Sequence, residues 1–252
     1  MIRWLSFLLA AVSTNAATTI TLRPSATTPD SGDTYLRAAA STSNFGSAGA
    51  LVISGGGTGN TKGEFGSVLK FDLSTVTAAF DASYGIGNWT LDSIRLEFTA
   101  VEPNNVNFNA NSAGSVDVDW LAADFWIESG VSGLTWSGLP SLVSSGSESM
   151  GSLAFNGSLG TSQHMISSTA GFANDLATGS IVTLLLHATG DPDVSVTLNS
   201  RNFGTPANRP ALIVSASPEP DRAIICILSI AALTWGRQRN QKGAHRKGRA
   251  LR

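Results

Sequence analysis

The sequence predicts an all-β protein, a jelly-roll-like antiparallel β-sandwich, on three observations. Only 13% of the 252 residues are charged, whereas long surface helices need many Glu, Lys and Arg residues. Apolar and polar residues alternate with a period of two in several segments, which is typical of strands with one buried face. These segments are separated by stretches rich in Gly, Ser and Asn without a fixed repeat, which favours a sandwich over a solenoid or propeller.

The strand pattern takes two forms, alternating and continuous. The alternating apolar residues are Leu69, Phe71 and Leu73; Ile94, Leu96 and Phe98; Val116, Val118 and Trp120; and Val194, Val196 and Leu198. The continuous apolar runs at residues 181–186 and 211–214 are typical of central strands covered on both faces or of strands at the sandwich core. A single helix is predicted over residues 169–177, where Phe172 and Leu176 share a face and Gly179 ends it. Turn-rich connections are expected at residues 41–49, 55–63, 102–114 and 137–151.

Charge is distributed unevenly along the chain. The formal net charge is −2, but residues 17–217 hold seven basic and sixteen acidic side chains, a formal charge of −9. The last sixteen residues hold seven basic side chains and no acidic one. Because an acidic domain repels phosphate backbones, the charge argues against nucleic acid as a partner. The only cysteine, Cys226, lies outside the central region, which excludes disulfides and thiolate metal sites there.

Both ends of the chain have the features of export signals. Residues 1–16 combine Arg3, an apolar stretch and small residues before Ala17, as in a secretory signal peptide; a buried strand or helix is the alternative. Residues 223–235 are thirteen residues without charge, short for a bilayer span of about 20 residues. The basic tail that follows would stay on the cytoplasmic side. We therefore expect a transmembrane anchor helix at residues 223–235, with the domain of residues 17–217 outside.

The stretch from residue 218 to residue 252 resembles the PEP-CTERM sorting signal of exopolysaccharide-producing Gram-negative bacteria. The resemblance is carried by the triplet Pro218-Glu219-Pro220, the short apolar segment and the basic tail. It implies recognition by an exosortase, a membrane protease-transpeptidase, and delivery to the cell surface or extracellular matrix. The tail after Trp235 is seventeen residues long, which is longer than is usual in that family. An ordinary single-span anchor is the alternative.

Several segments of the central region, taken in order, resemble the DNRLRE domain, a surface β-sandwich family. They are residues 33–37 with Asn44-Phe45-Gly46 and 51–53; 69–74; 91–101; Trp126-Ile127-Glu128 with Thr135-Trp136 and Pro140; and Ser200-Arg201 with 209–214. Asn202 departs from the family, which commonly has an acidic residue there. Relatives are attached to polysaccharide-degrading enzymes or cell-surface proteins, and some are described as binding uronic-acid polysaccharides such as alginate. The resemblance implies a non-catalytic, polysaccharide-binding or scaffold role, and the negative charge favours neutral glycans.

Four side chains of the central region are candidates for contact with a glycan. Trp89 and Trp126 could stack on sugar rings, whereas core packing is expected for Trp120 and Trp136. Arg201 and Arg209 could hydrogen-bond a glycan carboxylate, and ion pairing with nearby loop acids is the alternative.

No catalytic residue and no resident cofactor are predicted. His164, expected in a Ser/Gly-rich loop, and His187, expected at a strand end, lie in no nucleophile motif. A structural calcium is the open alternative at two acidic pairs, since carboxylates are its preferred ligands; a solvated strand face and a turn also account for these pairs, which are Asp117/Asp119 and Asp191/Asp193. The leading hypothesis is an exported surface or exopolysaccharide-associated protein that binds polysaccharide weakly. A purely structural matrix or adhesion protein is the second, and a polysaccharide-degrading enzyme the third.

Overall fold

A computed structural model of the chain describes residues 16–219, apart from residues 26, 29, 58–61, 104–109 and 189. The chain divides into two units after Ser217, and the unit that ends there carries the β-fold. Its strands are β1 (Thr18–Leu22), β2 (Gly32–Arg37), β3 (Ala50–Ser54), β4 (Phe65–Asp72), β5 (Trp89–Val101), β6 (Gly114–Leu121), β7 (Ser147–Phe155), β8 (Gly160–Ile166), β9 (Ile181–His187), β10 (Ser195–Asn199) and β11 (Ala211–Pro218). Its helices are α1 (Ser74–Tyr84), α2 (Leu139–Ser144) and α3 (Ala170–Thr178).

Within the described residues, eleven strands belong to one sheet, in the order β1-β11-β5-β10-β3-β4-β9-β6-β7. Strand β2 also pairs with β4, and β8 also pairs with β5. The pairs are antiparallel; β4, for example, pairs with β9 from Ser67 to Asp72. The sheet curls into a sandwich-like arrangement. The predicted antiparallel, mostly-β class is therefore confirmed.

The main hydrophobic core lies inside the curled sheet. Alternating residues of β4, β5, β6 and β10 meet there, as their period of two predicts. Helix α1 adds Val76 and Phe80 to this core, and α3 adds Phe172 and Leu176; all four side chains are at most 1% exposed. Burying one such side chain contributes about 1.5–3 kcal/mol relative to leaving it in water. The core therefore supplies stability without any disulfide.

The helix predicted over residues 169–177 is α3. The Thr169 side chain accepts a hydrogen bond from the Phe172 N–H at 3.2 Å, and Gly179 ends the helix in the left-handed conformation. The prediction of a single helix was wrong, because α1 and α2 also form. Helix α1 escaped prediction because its apolar stripe is narrow, with Val76 and Phe80 in a run of small and polar residues. Helix α2 has only six residues, inside a stretch predicted to be turns.

Strands β7 and β8 were not predicted, and His164 lies on β8 rather than in a loop. On β7 the buried residues are Met150 and Leu153, three positions apart rather than two. The register between β6 and β7 shifts here, since Val118 pairs with Gly151 and Asp119 with Ser149. Met150 is therefore the extra residue of a β-bulge, which interrupts the alternation that identifies a strand.

A second core covers the outer face of β2, β4, β6 and β9. The chain between β6 and β7, residues 122–146, crosses this face; we name it the cover segment. The second core consists of Leu36, Val68, Leu121, Ala123, Trp126, Leu134, Leu142 and Leu185. Strand β9 therefore has core on both faces, as its continuous apolar run predicts.

No helix among the described residues is long and apolar enough to cross a bilayer. The predicted anchor at residues 223–235 lies outside the described residues, as do residues 1–15 of the predicted signal peptide and Pro220 of the sorting triplet.

Candidate functional site

Three of the segments that carry the DNRLRE resemblance meet in a cluster formed by Asp33, Glu128 and Arg201. The Arg201 Nε donates to Glu128 Oε1 at 2.7 Å, and its Nη2 donates to Oε2, which makes the pair bidentate. The two side chains are 9% and 15% exposed. The Asp33 N–H donates to Glu128 Oε1 at 3.2 Å, and Asp33 Oδ2 accepts from the Arg201 N–H at 2.6 Å. Residues from three distant parts of the chain are thus joined by charge-assisted hydrogen bonds.

The third nitrogen of the Arg201 guanidinium is also engaged by the protein. Its Nη1 donates to the Ser25 carbonyl at 2.7 Å, the Thr28 carbonyl at 3.4 Å and the Ser31 hydroxyl at 3.3 Å. The predicted role of Arg201 as a ligand for a glycan carboxylate would require these bonds and the Glu128 pair to break. The alternative, ion pairing with a loop acid, is the arrangement present: Glu128 belongs to the cover segment and lies beside Arg201, although 73 residues separate them in the sequence.

Asn44 and Gly46 connect a turn to the cluster. The Asn44 Nδ2 donates to the carbonyls of Glu128 and Leu134, both at 2.8 Å. The backbone of Gly46 lies so close to the backbone of Glu128 that a Cβ added to Gly46 would be 1.8 Å from the Glu128 carbonyl oxygen. Asn202, where the sequence departs from the family, donates from Nδ2 to the Gly46 carbonyl at 3.2 Å. A neutral amide at this position therefore still ties the loop after β10 to the turn.

Gly46→Ala is expected to lower the free energy of unfolding by about 1–3 kcal/mol, because the added methyl group overlaps backbone that is held by the cluster. Gly49→Ala is the matched control, since a Cβ there meets no atom within 4 Å. Urea denaturation of both variants measures the difference. Equal stability of the two variants would contradict the close approach at Gly46.

Asp33 is the titratable group whose environment is most perturbed in the cluster. Its side chain is 3% exposed, and burial raises its pKa to about 7; the Arg201 N–H lowers the pKa, and the charge of Glu128 raises it again. Among the described residues, no group hydrogen-bonds its Oδ1. Asp33 therefore changes protonation near neutral pH inside a structural cluster.

Trp126, predicted as a sugar contact, is 5% exposed and packs in the second core. Its Nε1 donates to Thr183 Oγ1 at 3.2 Å. The Lys70 ammonium lies 4.6 Å from the ring centre and donates to the Trp126 carbonyl at 2.9 Å. Stacking on a sugar needs an open ring face, so the geometry gives Trp126 a packing role.

The other predicted glycan contacts lie elsewhere on the domain. Trp89 is half-buried against the main core, 5.2 Å from Phe80 between ring centres, and its Nε1 donates to Asp81 at 2.9 Å. The Arg209 Nε donates to the Phe203 carbonyl at 2.8 Å. Trp89 and Trp126 belong to different cores, so the four predicted residues do not form one site.

The packing expected for the remaining tryptophans is confirmed. Trp120 packs against the main core, and its Nε1 donates to Asp175 at 2.7 Å. A Cβ added to Gly171 would be 2.4 Å from the Trp120 ring, so only glycine lets α3 approach so closely. Trp136 packs against the second core.

The two acidic pairs predicted as calcium candidates have protein partners. Asp119 pairs with His187 Nε2 at 2.9 Å on the sheet surface. Asp191 accepts hydrogen bonds from the N–H groups of Ser115 at 2.9 Å and Asp193 at 3.1 Å, as expected for a turn. Within the described part of the chain, no group of three or more His, Cys, Asp or Glu residues is arranged to hold a metal ion.

A surface depression of about 270 Å³ lies in the cover segment; of the four predicted glycan contacts, Trp126 is among the residues that line it. Its lining includes the buried residues Leu134 and Leu142 and the exposed residues Phe125 and Ile127, which are 72% and 54% exposed. The hydroxyl-bearing residues that line it are Ser132, Thr135 and Ser141. None of the described residues that line it is charged. The signal in the sequence is the run Phe125-Trp126-Ile127, where the middle side chain enters the core and the outer two therefore point away from it.

Comparison with family models and curated sequences assigns no family. No protein-family model matches this chain, and neither does any curated protein sequence. The functional assignment therefore rests on the cluster, the depression and the patterns in the sequence.

Proposed function

We propose that the chain is an exported, non-catalytic protein of the cell surface or exopolysaccharide, whose jelly-roll-like β-sandwich binds polysaccharide weakly. The observation that supports this most is the convergence of the motif residues. Asp33, Asn44, Gly46, Glu128 and Arg201 meet in one buried cluster, although Asp33 and Arg201 are 168 residues apart. The resemblance to DNRLRE domains lies in the order of separate segments, and the contact among three of them supports treating these as parts of one domain signature.

The proposed location rests on the two ends of the sequence. Residues 1–16 would direct secretion and be removed, and the apolar residues 223–235 would hold the chain in the inner membrane in transit. Pro218-Glu219-Pro220, the apolar segment and the basic tail would then be recognised by an exosortase-type enzyme, which delivers the domain to the surface or matrix. A domain without cysteine is suited to that exterior because no thiol is exposed to oxidation.

The chemistry of the domain favours an uncharged polysaccharide. Its formal charge of −9 repels a polyanion. Arg201, a predicted donor to a glycan carboxylate, is occupied by Glu128 and by three groups of the segment before β2. Arg209 donates to a backbone carbonyl. Hydrogen bonding to hydroxyl groups and contact with apolar ring faces therefore remain as the means of recognition.

Affinity electrophoresis of the purified full-length chain tests the proposed function. We expect retardation in gels that contain neutral polysaccharides such as glucomannan or dextran, and no retardation in gels that contain alginate, because the charges repel. Bovine serum albumin in the same gels controls for sieving. Unaltered migration in every neutral gel would contradict polysaccharide binding and favour the purely structural role. Release of reducing ends during incubation would contradict the non-catalytic assignment.

A further inference from the structure

We propose that the surface depression of the cover segment is a binding site for one uncharged sugar unit of a polysaccharide, with Phe125 as the platform on which the sugar stacks. This inference rests on the proposed function and gives that function a location.

The first observation is the exposed aromatic ring. Phe125 is 72% exposed, and Ile127 beside it in the depression is 54% exposed. Val131, at the tip of the same loop, is fully exposed. Apolar side chains grouped in this way on a soluble domain mark an interaction surface, whereas single exposed ones do not. Ile86, in the turn after α1, is exposed but lies outside this group, so it serves as a comparison in the test below.

The second observation is the polar character of the rest of the lining. Ser132, Thr135 and Ser141 bring hydroxyl groups to a depression without a charged residue among its described lining. A hydroxyl group both donates and accepts, so it suits a ligand that is itself covered with hydroxyl groups. An anionic ligand would lack a cation to pair with here. An aliphatic partner would offer no hydrogen bonds to these hydroxyl groups, of which that of Thr135 also bonds the Ser137 hydroxyl at 3.1 Å. The lining therefore matches an uncharged sugar, which has apolar ring faces and a polar edge.

The third observation is the size of the depression. Its volume of about 270 Å³ lies just below the range of roughly 300–1,000 Å³ found for pockets that enclose drug-sized ligands. A single sugar ring suits such a space, whereas a long glycan segment would extend beyond it. We therefore expect weak binding per site.

The fourth observation is that hydrogen bonds within the protein hold the loop of residues 127–134 in place. The Leu134 N–H donates to the Ile127 carbonyl at 2.8 Å and closes the loop between them. Asn44 holds both sides of this loop through the carbonyls of Glu128 and Leu134. A loop that is already ordered loses little conformational entropy on binding. The buried cluster thus serves the depression by positioning its loop.

The test compares four full-length variants by affinity electrophoresis in gels that contain neutral polysaccharides. Phe125→Ala is expected to weaken retention roughly tenfold, which corresponds to about 1.4 kcal/mol of lost contact. Phe125→Leu should weaken it to a similar extent, because leucine is apolar but has no flat ring, whereas Phe125→Trp should retain it. Ile86→Ala is the matched control and should leave retention unchanged. Thermal unfolding of each variant shows whether it is folded.

The outcomes separate this proposal from the one on which it rests. Retention of the Phe125→Ala variant equal to that of the unmodified chain would overturn the depression as the site, while polysaccharide binding would stand. Loss of retention with alanine but not with leucine would show a general apolar contact, such as one with a protein, and would overturn the sugar assignment. Absence of retention in the unmodified chain would overturn both proposals.

Discussion

Replacing Arg201 with alanine is expected to lower the free energy of unfolding by about 3–5 kcal/mol, the cost of leaving a buried charge without its partner. The carboxylate of Glu128 is 15% exposed and would lose both bonds of the bidentate pair. Two carbonyls and one hydroxyl of the segment before β2 would also lose a donor. Chemical denaturation followed by tryptophan fluorescence measures the change.

Arg209→Ala is the matched control for this prediction. Arg209 lies shortly before β11. In the described part of the chain, its side chain makes one hydrogen bond, from Nε to the Phe203 carbonyl. Its loss is expected to cost about 1 kcal/mol. If Arg201→Ala were no more destabilising than Arg209→Ala, the cluster would not hold the domain together, and Arg201 would regain its place among the glycan contacts.

The second large effect is a dependence of stability on pH that arises from Asp33. Its pKa is about 7 in the folded chain and 3.8 without perturbation, so the folded state binds the proton more tightly than the unfolded state. The contribution of Asp33 to stability is therefore complete below about pH 4 and is lost as the pH rises to about 7, with a total loss on the order of 4 kcal/mol. The Asp33→Asn side chain stays neutral and can still accept from the Arg201 N–H.

Unfolding free energies of the two proteins from pH 5 to pH 8 test this prediction. We expect the stability of the original chain to fall relative to that of Asp33→Asn as the pH rises. The difference between the proteins is the relevant quantity, because His164 acts in the opposite direction: burial lowers its pKa, so its contribution grows with pH. Asp92→Asn, at an exposed position of β5, is the control. Parallel pH profiles for the original chain and Asp33→Asn would contradict the prediction.

Strands with one buried face were predictable from alternating apolar residues, and strands with two buried faces from continuous apolar runs. The alternation of Ile94, Leu96 and Phe98 identified β5, and the continuous run of residues 181–186 identified β9 as covered on both faces. Helix α3 was predictable because Phe172 and Leu176 share one face and Gly179 ends the helix, as observed. In each case the local pattern and the final environment agree.

The features that could not be predicted depend on contacts between distant parts of the chain. The bulge at Met150 changes the spacing of buried residues on β7, and α1 shows too narrow an apolar stripe to be distinguished from a turn. Arg201 was predicted to contact either a glycan or a loop acid, and its partner Glu128 is separated from it by 73 residues. Trp126 looked like a sugar contact because the sequence does not show which member of the run 125–127 enters the core. For the same reason, the sequence did not identify Phe125 as the exposed aromatic residue of this run.

The most direct test of the account is the location and N-terminus of the chain in a Gram-negative host that has an exosortase. Cell fractionation with an antibody against the domain, followed by N-terminal sequencing, measures both at once. We expect a protein outside the cytoplasm that begins at Ala17 and is digested when protease is added to intact cells. An intact polypeptide that begins at Met1 and stays in the cytosol would contradict it.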